Sequence, residues 1–357
     1  MSYRIGSFNV HNMGANASEE KIDFIVKIIK SQKFDIVALQ EVFCNKRGMI
    51  DEKSCNANPI SSIIRKLGLD SNGKKWKAYF DVPKQSRDAK EGYAFIWNSS
   101  VHLPSVKLSD GSYRVFYPRI YNQYKLEKSE NQVDLVRNPL YGRFIPESQP
   151  KMEFRIINTH IRFSKDAGKN SDNTDDDIEL DIGTVKMRQN EFNIIAKTIY
   201  PKLAEKIYGT QDVGGLGAFY TIMLGDYNLN LNRKWTKSPY IPAEFIVVGK
   251  GHDGKEVKLQ TFNEGLTTIK RVTPENEQDY INMQKYNNNF DHVTYDTVRF
   301  ASVSIEDGSY TGIKCSTKKI DVVRNYDKND FVHYRKNISD HIPICFEFDN
   351  NHVIERK

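Results

Sequence analysis

Apolar and polar residues alternate along this chain mostly with the two-residue period of strands, and over fewer stretches with the 3.6-residue period of helices. Residues 4–10 alternate as a strand with one buried face does, whereas 36–39 form a short continuous apolar run that is typical of a fully buried strand. The same criteria predict further strands at 77–82, 93–97, 101–107, 154–159, 219–224 and 345–348.

Three helices are predicted from helical spacing and from residues that commonly begin or end helices. Ser18 can cap the first, which runs to about residue 31. Asn58-Pro59 begins the second and Gly68 ends it, in the usual order of proline early and glycine late. The third spans about 184–205, and Pro201 should kink or end it.

Length and composition restrict the class of protein. With 357 residues, 39% hydrophobic and 27% charged, the chain can bury a large core and is not a wholly disordered protein. It has no apolar stretch long enough to span a membrane as a helix. Because no repeat or low-complexity linker divides it, we expect one domain over 1–357, with helices interspersed among a majority of strands.

The charge distribution suggests a polyanionic partner. The segment 165–181 holds seven acids and two lysines, a net charge of −5, so the rest of the chain carries +11 against +6 for the whole. We interpret 165–183 as an acidic loop inserted into a basic body. It fits no EF-hand spacing, and Ca²⁺ binding there is the less favoured alternative.

The N-terminus and the cysteines bear on location. Residues 1–9 run directly into strand-like sequence and lack the basic and apolar regions of a signal peptide. The expected location is therefore cytoplasmic if Met1 is the native start, and secreted if a signal peptide has been removed. Four cysteines in a chain of this length do not form a disulfide scaffold, although a bridge between Cys44 and Cys55 stays open.

Six short pieces place acids, amides and histidines at the ends of apolar runs, where a rigid scaffold can direct polar groups to one point. They are Ser7-Phe8-Asn9-Val10, Leu39-Gln40-Glu41-Val42, Ile157-Asn158-Thr159-His160, Leu224-Gly225-Asp226-Tyr227-Asn228, Phe290-Asp291-His292-Val293 and Ser339-Asp340-His341-Ile342-Pro343. Carboxylate and amide oxygens suit Mg²⁺, Mn²⁺ or Ca²⁺ rather than zinc. Such a metal with two histidines is well equipped to hydrolyse phosphate esters.

In order and rough spacing, these pieces resemble the motifs of the endonuclease/exonuclease/phosphatase superfamily, whose type member is deoxyribonuclease I. Glu91-Gly92-Tyr93-Ala94-Phe95 and Leu135-Val136-Arg137-Asn138-Pro139 resemble elements of the deoxyribonuclease I branch. The resemblance covers nearly the whole chain. It implies an α/β fold, a four-layer sandwich of two packed mixed β-sheets flanked by helices.

The resemblance also implies roles for single residues. Glu41 would be the main metal ligand, with Asp340 and Asn9 near the metal and the scissile phosphate. His341, oriented by Asp291, would be the general base, and His160, oriented by Glu91, its counterpart on the leaving-group side. Asp226 would position the attacking water or a second metal. Asn228, Arg137 and Asn9 would contact the substrate phosphate. The implied cofactor is Mg²⁺ or Mn²⁺, with Ca²⁺ as a candidate structural ion.

Taken one at a time, these residues have structural explanations. Glu41 and Asp226 would be turn residues and His160 a half-buried histidine with satisfied partners. All these explanations would have to hold together, in the family's order, so we favour the catalytic interpretation. Glu91 is the least secure of the set, because Asp88 is close enough in sequence to take its role.

Three functions follow from this interpretation. The first is a divalent-metal-dependent phosphodiesterase, namely a DNA endonuclease with nucleic acid as its partner; no protein partner is evident. The second is a phosphatase or phosphodiesterase of the same fold, acting on a phosphoinositide, sphingomyelin or a nucleotide. The third is a catalytically inactive binding module, which ranks last because the catalytic residue types are intact.

Residues 113–125 contain a cluster of aromatic and basic side chains. The cluster would either clamp nucleic acid or be an ordinary strand with tyrosines on its surface.

Overall fold

The computed structural model describes most of the chain, including all six strand-end pieces in full, and all but one of the quoted motifs. The described residues are 2–53, 58–83, 91–122, 135, 137–162, 185–205, 218–230, 246–250, 256–262, 265–280, 283–297, 303–304, 310–311 and 314–349. The motif described in part is the arginine-proline piece, in which residue 136 is not included. The predicted acidic insertion 165–183, Asp88 and Cys55 lie outside the described residues.

The first sheet has seven strands with a single parallel pair near its centre. In spatial order they are β18 (Lys314–Lys319), β19 (Ile344–Asp349), β1 (Ser2–Met13), β2 (Ile36–Phe43), β5 (Glu91–Trp97), β4 (Lys77–Asp81) and β3 (Gly48–Ile50). β1 and β2 run parallel, and the other neighbours are antiparallel.

The second sheet repeats this arrangement with eight strands. In spatial order they are β13 (Ile246–Lys250), β14 (Glu256–Phe262), β15 (Asp291–Asp296), β12 (Ala218–Asp226), β11 (Met152–His160), β10 (Leu140–Pro146) and β6 (Val101–His102), while β9 (Arg119–Ile120) also pairs with β10. Here β11 and β12 are the parallel pair. Two small ribbons join β7 (Ser105–Lys107) to β8 (Tyr113–Val115), and β16 (Val303–Ser304) to β17 (Tyr310–Thr311).

The three predicted helical segments begin and end close to their predicted positions, and two further short helices were not predicted. The helices are α1 (Glu19–Ser31), α2 (Pro59–Leu67), α3 (Val185–Ile194) and α4 (Tyr200–Glu205), and the two that were not predicted are α5 (Val322–Tyr326) and α6 (Phe331–Asn337). The Ser18 side chain accepts a hydrogen bond from the Lys21 amide at 3.2 Å, as an N-cap does. Gly68 ends α2 at a φ of 69°, in the left-handed region that glycine adopts without strain.

Three apolar clusters separate four layers. One fills the space between the two sheets, a second packs the outer face of the first sheet against α1, α2, α5 and α6, and the third packs the outer face of the second sheet against the helical segment 185–205. The expected sandwich of two packed mixed sheets flanked by helices is therefore confirmed. The inter-sheet cluster is rich in aromatic side chains, including Trp97 and Phe144 at 5.5 Å in edge-to-face contact.

One predicted strand is wrong, and one predicted helix contains an irregular turn. The single strand expected at 101–107 is wrong, because the chain leaves the sheet at Leu103-Pro104 and forms two short strands instead. Proline cannot donate a ladder hydrogen bond, which explains the break. Pro201 does not end its helix, since a π-helical turn at Ile195–Ile199 precedes it and α4 continues to Glu205. The wider turn accommodates a residue that has no amide hydrogen.

Candidate active site

The candidate site lies where the apolar layer between the sheets gives way to polar side chains. Successive inward positions of β11 are Phe154, Ile156, Asn158 and His160, so strand alternation carries the apolar face directly into polar residues. Strand pairing then aligns the polar ends, because His160 lies opposite Asp226 on β12 and Asp226 lies opposite Asp291 on β15. The residues come from distant parts of the chain and meet because each is the first or last residue of its strand.

A buried amide clasp joins the two sheets next to this polar end. The Gln40 side chain, on β2, donates to Asn158 Oδ1 on β11 at 2.7 Å and to Ser7 Oγ on β1 at 3.1 Å. Asn158 Nδ2 returns a bond to the Leu39 carbonyl at 3.1 Å. Gln40 and Asn158 are both fully buried. The clasp therefore fixes the separation between the strands that carry Glu41 and His160.

The first histidine–carboxylate pair is His160 with Glu91. His160 Nδ1 lies 2.9 Å from Glu91 Oε1, and Arg137 binds the other oxygen, Glu91 Oε2, at 2.6 Å. Burial raises the pKa of Glu91, but the hydrogen bond and charge of His160, with the charges of Arg137 and Arg162, outweigh it and lower the pKa. Glu91 therefore stays ionised and can orient the His160 ring.

The second pair is His341 with Asp291. His341 Nδ1 lies 2.8 Å from Asp291 Oδ2, and both side chains are buried. Burial alone would lower the pKa of His341, but the charges of Asp291, Asp226 and Asp340 and the hydrogen bond to Asp291 raise it well above 6.5. The carboxylate fixes the tautomer of the ring and leaves Nε2 directed towards Asp226.

Asp226 lies between the two histidines. Its Oδ2 atom is 3.6 Å from Nε2 of His160 and 3.6 Å from Nε2 of His341, and it accepts a hydrogen bond from Asn9 Nδ2 at 2.8 Å. Burial raises the pKa of Asp226, and the charge of Asp291 adds to that effect, although both histidines oppose it. Gly225, just before it, has a φ of 139° and allows the backbone to pass close to Thr159.

Glu41 is held in an unusual backbone conformation at an irregularity in β2. Its φ is 57°, and the register between β2 and β5 shifts between Leu39 and Val42. Its two oxygens accept hydrogen bonds from Asn9 Nδ2 and the Asn12 amide, each at 3.0 Å. Left-handed non-glycine residues cost about 1–3 kcal/mol and cluster at functional sites, so this bulge supports a functional role for the side chain.

His11 is a site residue that the sequence motifs did not single out. Its Nδ1 lies 3.1 Å from Asp340 Oδ1 and 3.8 Å from Glu41 Oε2, and 44% of its side chain is exposed. Burial would raise the pKa of Asp340, but His11, His341 and Arg335 outweigh it and hold the pKa well below its usual range. The signal that could have found His11 is the one used for the others, a polar residue at the end of an apolar strand.

Asn228 is buried, and hydrogen bonds made by its backbone and side chain hold it in place. Its φ is 50°, its amide donates to Asp226 Oδ1 at 2.8 Å, and its side-chain Nδ2 donates to the Ile161 carbonyl at 2.8 Å. The fully buried guanidinium of Arg188 donates to its carbonyl oxygen. Asn228 thus adjoins the site through Asp226, while its predicted contact with a phosphate stays a prediction.

The donor set fits a hard divalent cation. Glu41, His160 and Asp226 each offer one ligand atom, and these atoms lie within 4.8 Å of one another. The structure groups Glu41 with Asp226 and His160 and places the Asn9 amide between the two carboxylates, while the His11 ring lies between Glu41 and Asp340. Coordination of the metal by Glu41, with Asp340 and Asn9 near it, stays a prediction. Clustered carboxylate oxygens are the ligands that Mg²⁺ and Mn²⁺ prefer.

Together these features define an α/β sandwich with two histidine–carboxylate pairs around a buried carboxylate. No family model matches the chain, and no curated protein matches it.

Cys44 carries a free thiol whose Sγ lies 3.2 Å from Asn58 Oδ1. Within the described residues, no helix is both long and apolar enough to cross a membrane.

The chain is similar to solved structures that include members of the superfamily whose motifs it resembles. A truncated TDP2 from Caenorhabditis elegans is 14% identical, with a TM-score of 0.47 and coverage of 98% of this chain and 97% of that one. An endonuclease/exonuclease/phosphatase family protein from Leptotrichia buccalis is 14% identical, with a TM-score of 0.44 and coverage of 97% and 99%. The human Nocturnin catalytic domain is 14% identical, with a TM-score of 0.46 and coverage of 98% and 94%.

Proposed function

We propose that this protein is a divalent-metal-dependent phosphodiesterase, and specifically a DNA endonuclease that hydrolyses backbone phosphodiester bonds. The observation that carries the proposal is the arrangement of His160 and His341, each bound to its own carboxylate and each with Nε2 at 3.6 Å from Asp226 Oδ2. Two histidines on either side of one point can handle the attacking and the leaving oxygen of a single displacement.

His341 is assigned as the general base. Its Nδ1 is bonded to Asp291, so in the neutral ring Nε2 is the nitrogen that takes a proton from the attacking water, and Asp226 can orient that water. The carboxylates that raise the pKa of His341 keep the ring of the metal-free protein protonated until the pH exceeds that pKa. His160, oriented by Glu91, donates a proton to the leaving oxygen. Asp291 and Glu91 support the imidazolium form of their partners. This division of roles uses both pairs and needs no nucleophilic side chain.

Charge that builds up on the phosphate oxygens is offset by groups already at the site. Arg137 lies against His160, with a guanidinium nitrogen 2.8 Å from Nδ1, and can turn to a phosphate oxygen. Glu41 and Asp226, with the amide of Asn9 between them, would hold the cation; Asp340 is the remaining candidate ligand. A bound Mg²⁺ or Mn²⁺ supplies Lewis-acid polarisation of the phosphate.

DNA is favoured as substrate because the chain outside the acidic insertion carries +11, and contacts to the phosphate backbone dominate sequence-independent binding. A phosphoinositide, sphingomyelin or nucleotide would use the same catalytic groups. The two substrate classes therefore differ in what binds around the site, and the substrate assay below separates them.

The test is nicking of supercoiled plasmid with Mg²⁺, with Mn²⁺ and with EDTA. The variant is Glu41→Ala, and its matched control is Glu147→Ala, since Glu147 is an exposed carboxylate paired with His102 on the surface. Metal-dependent nicking that is lost only in Glu41→Ala supports the proposal. Hydrolysis of phospholipid or nucleotide esters without nicking would transfer the assignment to the alternative substrate class. No hydrolysis of any phosphoester would overturn it.

A further inference from the structure

Exposed apolar side chains concentrate on one small ribbon. Among the described residues the large exposed apolar side chains are Leu69, Leu108, Tyr113, Tyr117 and Val332. Three of the five lie on or beside the β7–β8 ribbon, where Tyr113 is 64% exposed and Tyr117 is 52% exposed. Such clustering is the usual mark of an interaction surface, whereas single exposed apolar residues are ordinary.

Positive charge accompanies these tyrosines. Lys107 lies directly opposite Tyr113 in the ribbon, Tyr117 follows between β8 and β9, and Arg119 begins β9. Lys107 and Arg119 are exposed, and the segment 105–121 contains three basic residues against one acid. We call Lys107, Tyr113, Tyr117 and Arg119 the aromatic ridge.

The aromatic ridge is fixed to both sheets. Tyr117 stacks on Tyr79 of the first sheet, with ring centroids 6.4 Å apart and planes 16° apart. The Phe116 amide donates to the Pro104 carbonyl at 2.9 Å, and the Arg143 guanidinium of the second sheet lies 5.4 Å from the centre of the Phe116 ring. A platform held in this way loses little conformational freedom when it binds a ligand.

The ridge adjoins the element that carries Arg137. Arg119 pairs with Tyr141 at the beginning of β10. Next along the chain, the Tyr121 amide donates to the Pro139 carbonyl at 2.9 Å, and Asn138 Nδ2 donates to the Tyr121 carbonyl at 3.0 Å. Tyr121 itself is buried and therefore does not belong to the aromatic ridge. Tyr124 and Lys125 lie outside the described residues.

We propose that the aromatic ridge binds unpaired bases of a DNA strand whose scissile phosphate lies at the candidate active site. The inference rests on the proposed function and refines it by naming the form of the substrate. Exposed tyrosine rings stack on bases of any sequence, and interleaved Lys107 and Arg119 bind the backbone phosphates. Duplex DNA hides the base faces inside its own stack, so the ridge favours single-stranded or locally opened DNA.

The experiment measures binding of a fluorescent thirty-residue oligothymidylate to the full chain in EDTA, by anisotropy. Tyr113→Ser/Tyr117→Ser should weaken binding about tenfold or more, because base–aromatic stacking contributes strongly at each base. Tyr113→Phe/Tyr117→Phe should bind like the unmodified protein, since the ring remains. Leu69→Ser/Val332→Ser, which removes two exposed apolar side chains elsewhere, is the matched control and should not alter binding.

A second readout tests the charges. Arg119→Gln should lower the slope of log affinity against log salt by about 0.7, the value for one phosphate contact on a single strand. The ridge assignment is overturned if the unmodified protein does not bind the oligonucleotide, or if the serine variant binds equally well. It is also overturned if Tyr113→Leu/Tyr117→Leu binds like the phenylalanine variant, since that result indicates an apolar docking surface.

Failure of the ridge and failure of the proposed function are distinguishable. Binding is measured without metal and without catalysis, whereas nicking is measured on plasmid. Oligonucleotide binding that depends on the ridge, without phosphodiester cleavage with any metal, would contradict the proposed function and support the binding role of the ridge. Plasmid cleavage together with unchanged oligonucleotide binding in the serine variant would support the proposed function and contradict the role of the ridge.

Discussion

His160 and His341 face the same oxygen atom, because Nε2 of each ring lies 3.6 Å from Asp226 Oδ2. The carboxylate that orients His160 belongs to the first sheet, and the one that orients His341 belongs to the second. Each ring is turned towards that atom by a carboxylate on its other nitrogen, Glu91 at 2.9 Å and Asp291 at 2.8 Å. The site is thus nearly symmetric in chemistry, although burial differs between the two orienting carboxylates, with Asp291 almost fully buried and Glu91 partly exposed.

We expect His160→Ala and His341→Ala each to lower the nicking rate by about 10²- to 10⁴-fold, the usual contribution of a general acid or base. Both proteins should remain folded by circular dichroism. The matched control is His102→Ala, which removes a histidine paired with Glu147 at 3.0 Å on the surface. Nearly full activity in both site variants would contradict the assignment.

The stability of the metal-free protein should fall as pH rises from about 6.5 to 8. The pKa of His341 is raised in the folded protein, so its contribution is fully present below 6.5 and is lost as pH rises through the folded pKa. One proton gives a slope of at most about 1.4 kcal/mol per pH unit. Urea unfolding in EDTA measures it, and His341→Gln should flatten the slope.

Two other titratable residues determine the pH range of the unfolding measurement and its control variant. Burial lowers the pKa of Lys21 to about 8, which acts in the opposite direction above that pH, so the measurement stops there. His333 also has a raised pKa, through its hydrogen bond to Asp327. His333→Gln therefore serves as the control, and a slope that disappears in this variant alone would show that His341 is not responsible.

Binding of Mg²⁺ or Mn²⁺ should stabilise the protein through Glu41. A cation at one hundred times its dissociation constant adds about 2.7 kcal/mol to the free energy of unfolding. Thermal unfolding with and without metal should show a rise in Tm that is absent in Glu41→Ala and retained in Glu147→Ala. A rise that persists in Glu41→Ala would place the cation elsewhere.

Gly225→Ala should be among the most damaging single substitutions. A Cβ atom at this position would lie 1.9 Å from the Thr159 carbonyl oxygen, and the φ of 139° is unfavourable for any other residue. We expect a loss of about 4 kcal/mol or more, or no soluble protein. Gly111→Ala is the control, because its φ is 84° and a Cβ there meets nothing within 4 Å. That change should cost about 1–2 kcal/mol.

The Gln40–Asn158 clasp predicts an energetic coupling between the two sheets. Removing either side chain leaves buried polar partners unsatisfied, so Gln40→Ala and Asn158→Ala should each cost about 1–3 kcal/mol. The double variant should cost less than the sum, with a coupling of about 0.5–3 kcal/mol. Denaturant unfolding of the four proteins gives this number, and strict additivity would show that the clasp does not act as a unit.

Sequence reasoning recovered the elements whose patterns are local. The alternation in β1, the apolar run in β2 and the caps of α1 and α2 are set by residues adjacent in the chain. It missed β10, whose seven residues are all buried and include Gly142, Arg143 and Pro146, so no two-residue period is visible. Arg143 is buried there because Glu153 on β11 pairs with it at 2.6 Å, which is not a local signal.

The same limit applies to the candidate site. The order and residue types of the motifs, through their resemblance to a known superfamily, named the two histidines and the carboxylates that the structure pairs with them. The grouping of Glu41 with His160 depends on the bulge in β2 and on the approach of two sheets, which no local pattern encodes. His11 carries the same local signal, a polar residue after an apolar run, but its contacts with Asp340 and Glu41 join residues far apart in the chain.

One contact bears on when activity can arise during synthesis. Ser339 Oγ donates to the Asn9 carbonyl at 2.8 Å across 330 residues, and β19, which follows His341, pairs directly with β1. β1 therefore lacks its β19 neighbour, and the candidate site lacks His341, until the segment that contains both has been synthesised. A nascent or prematurely terminated chain that lacks this segment therefore has neither the β1–β19 pairing nor the second histidine–carboxylate pair.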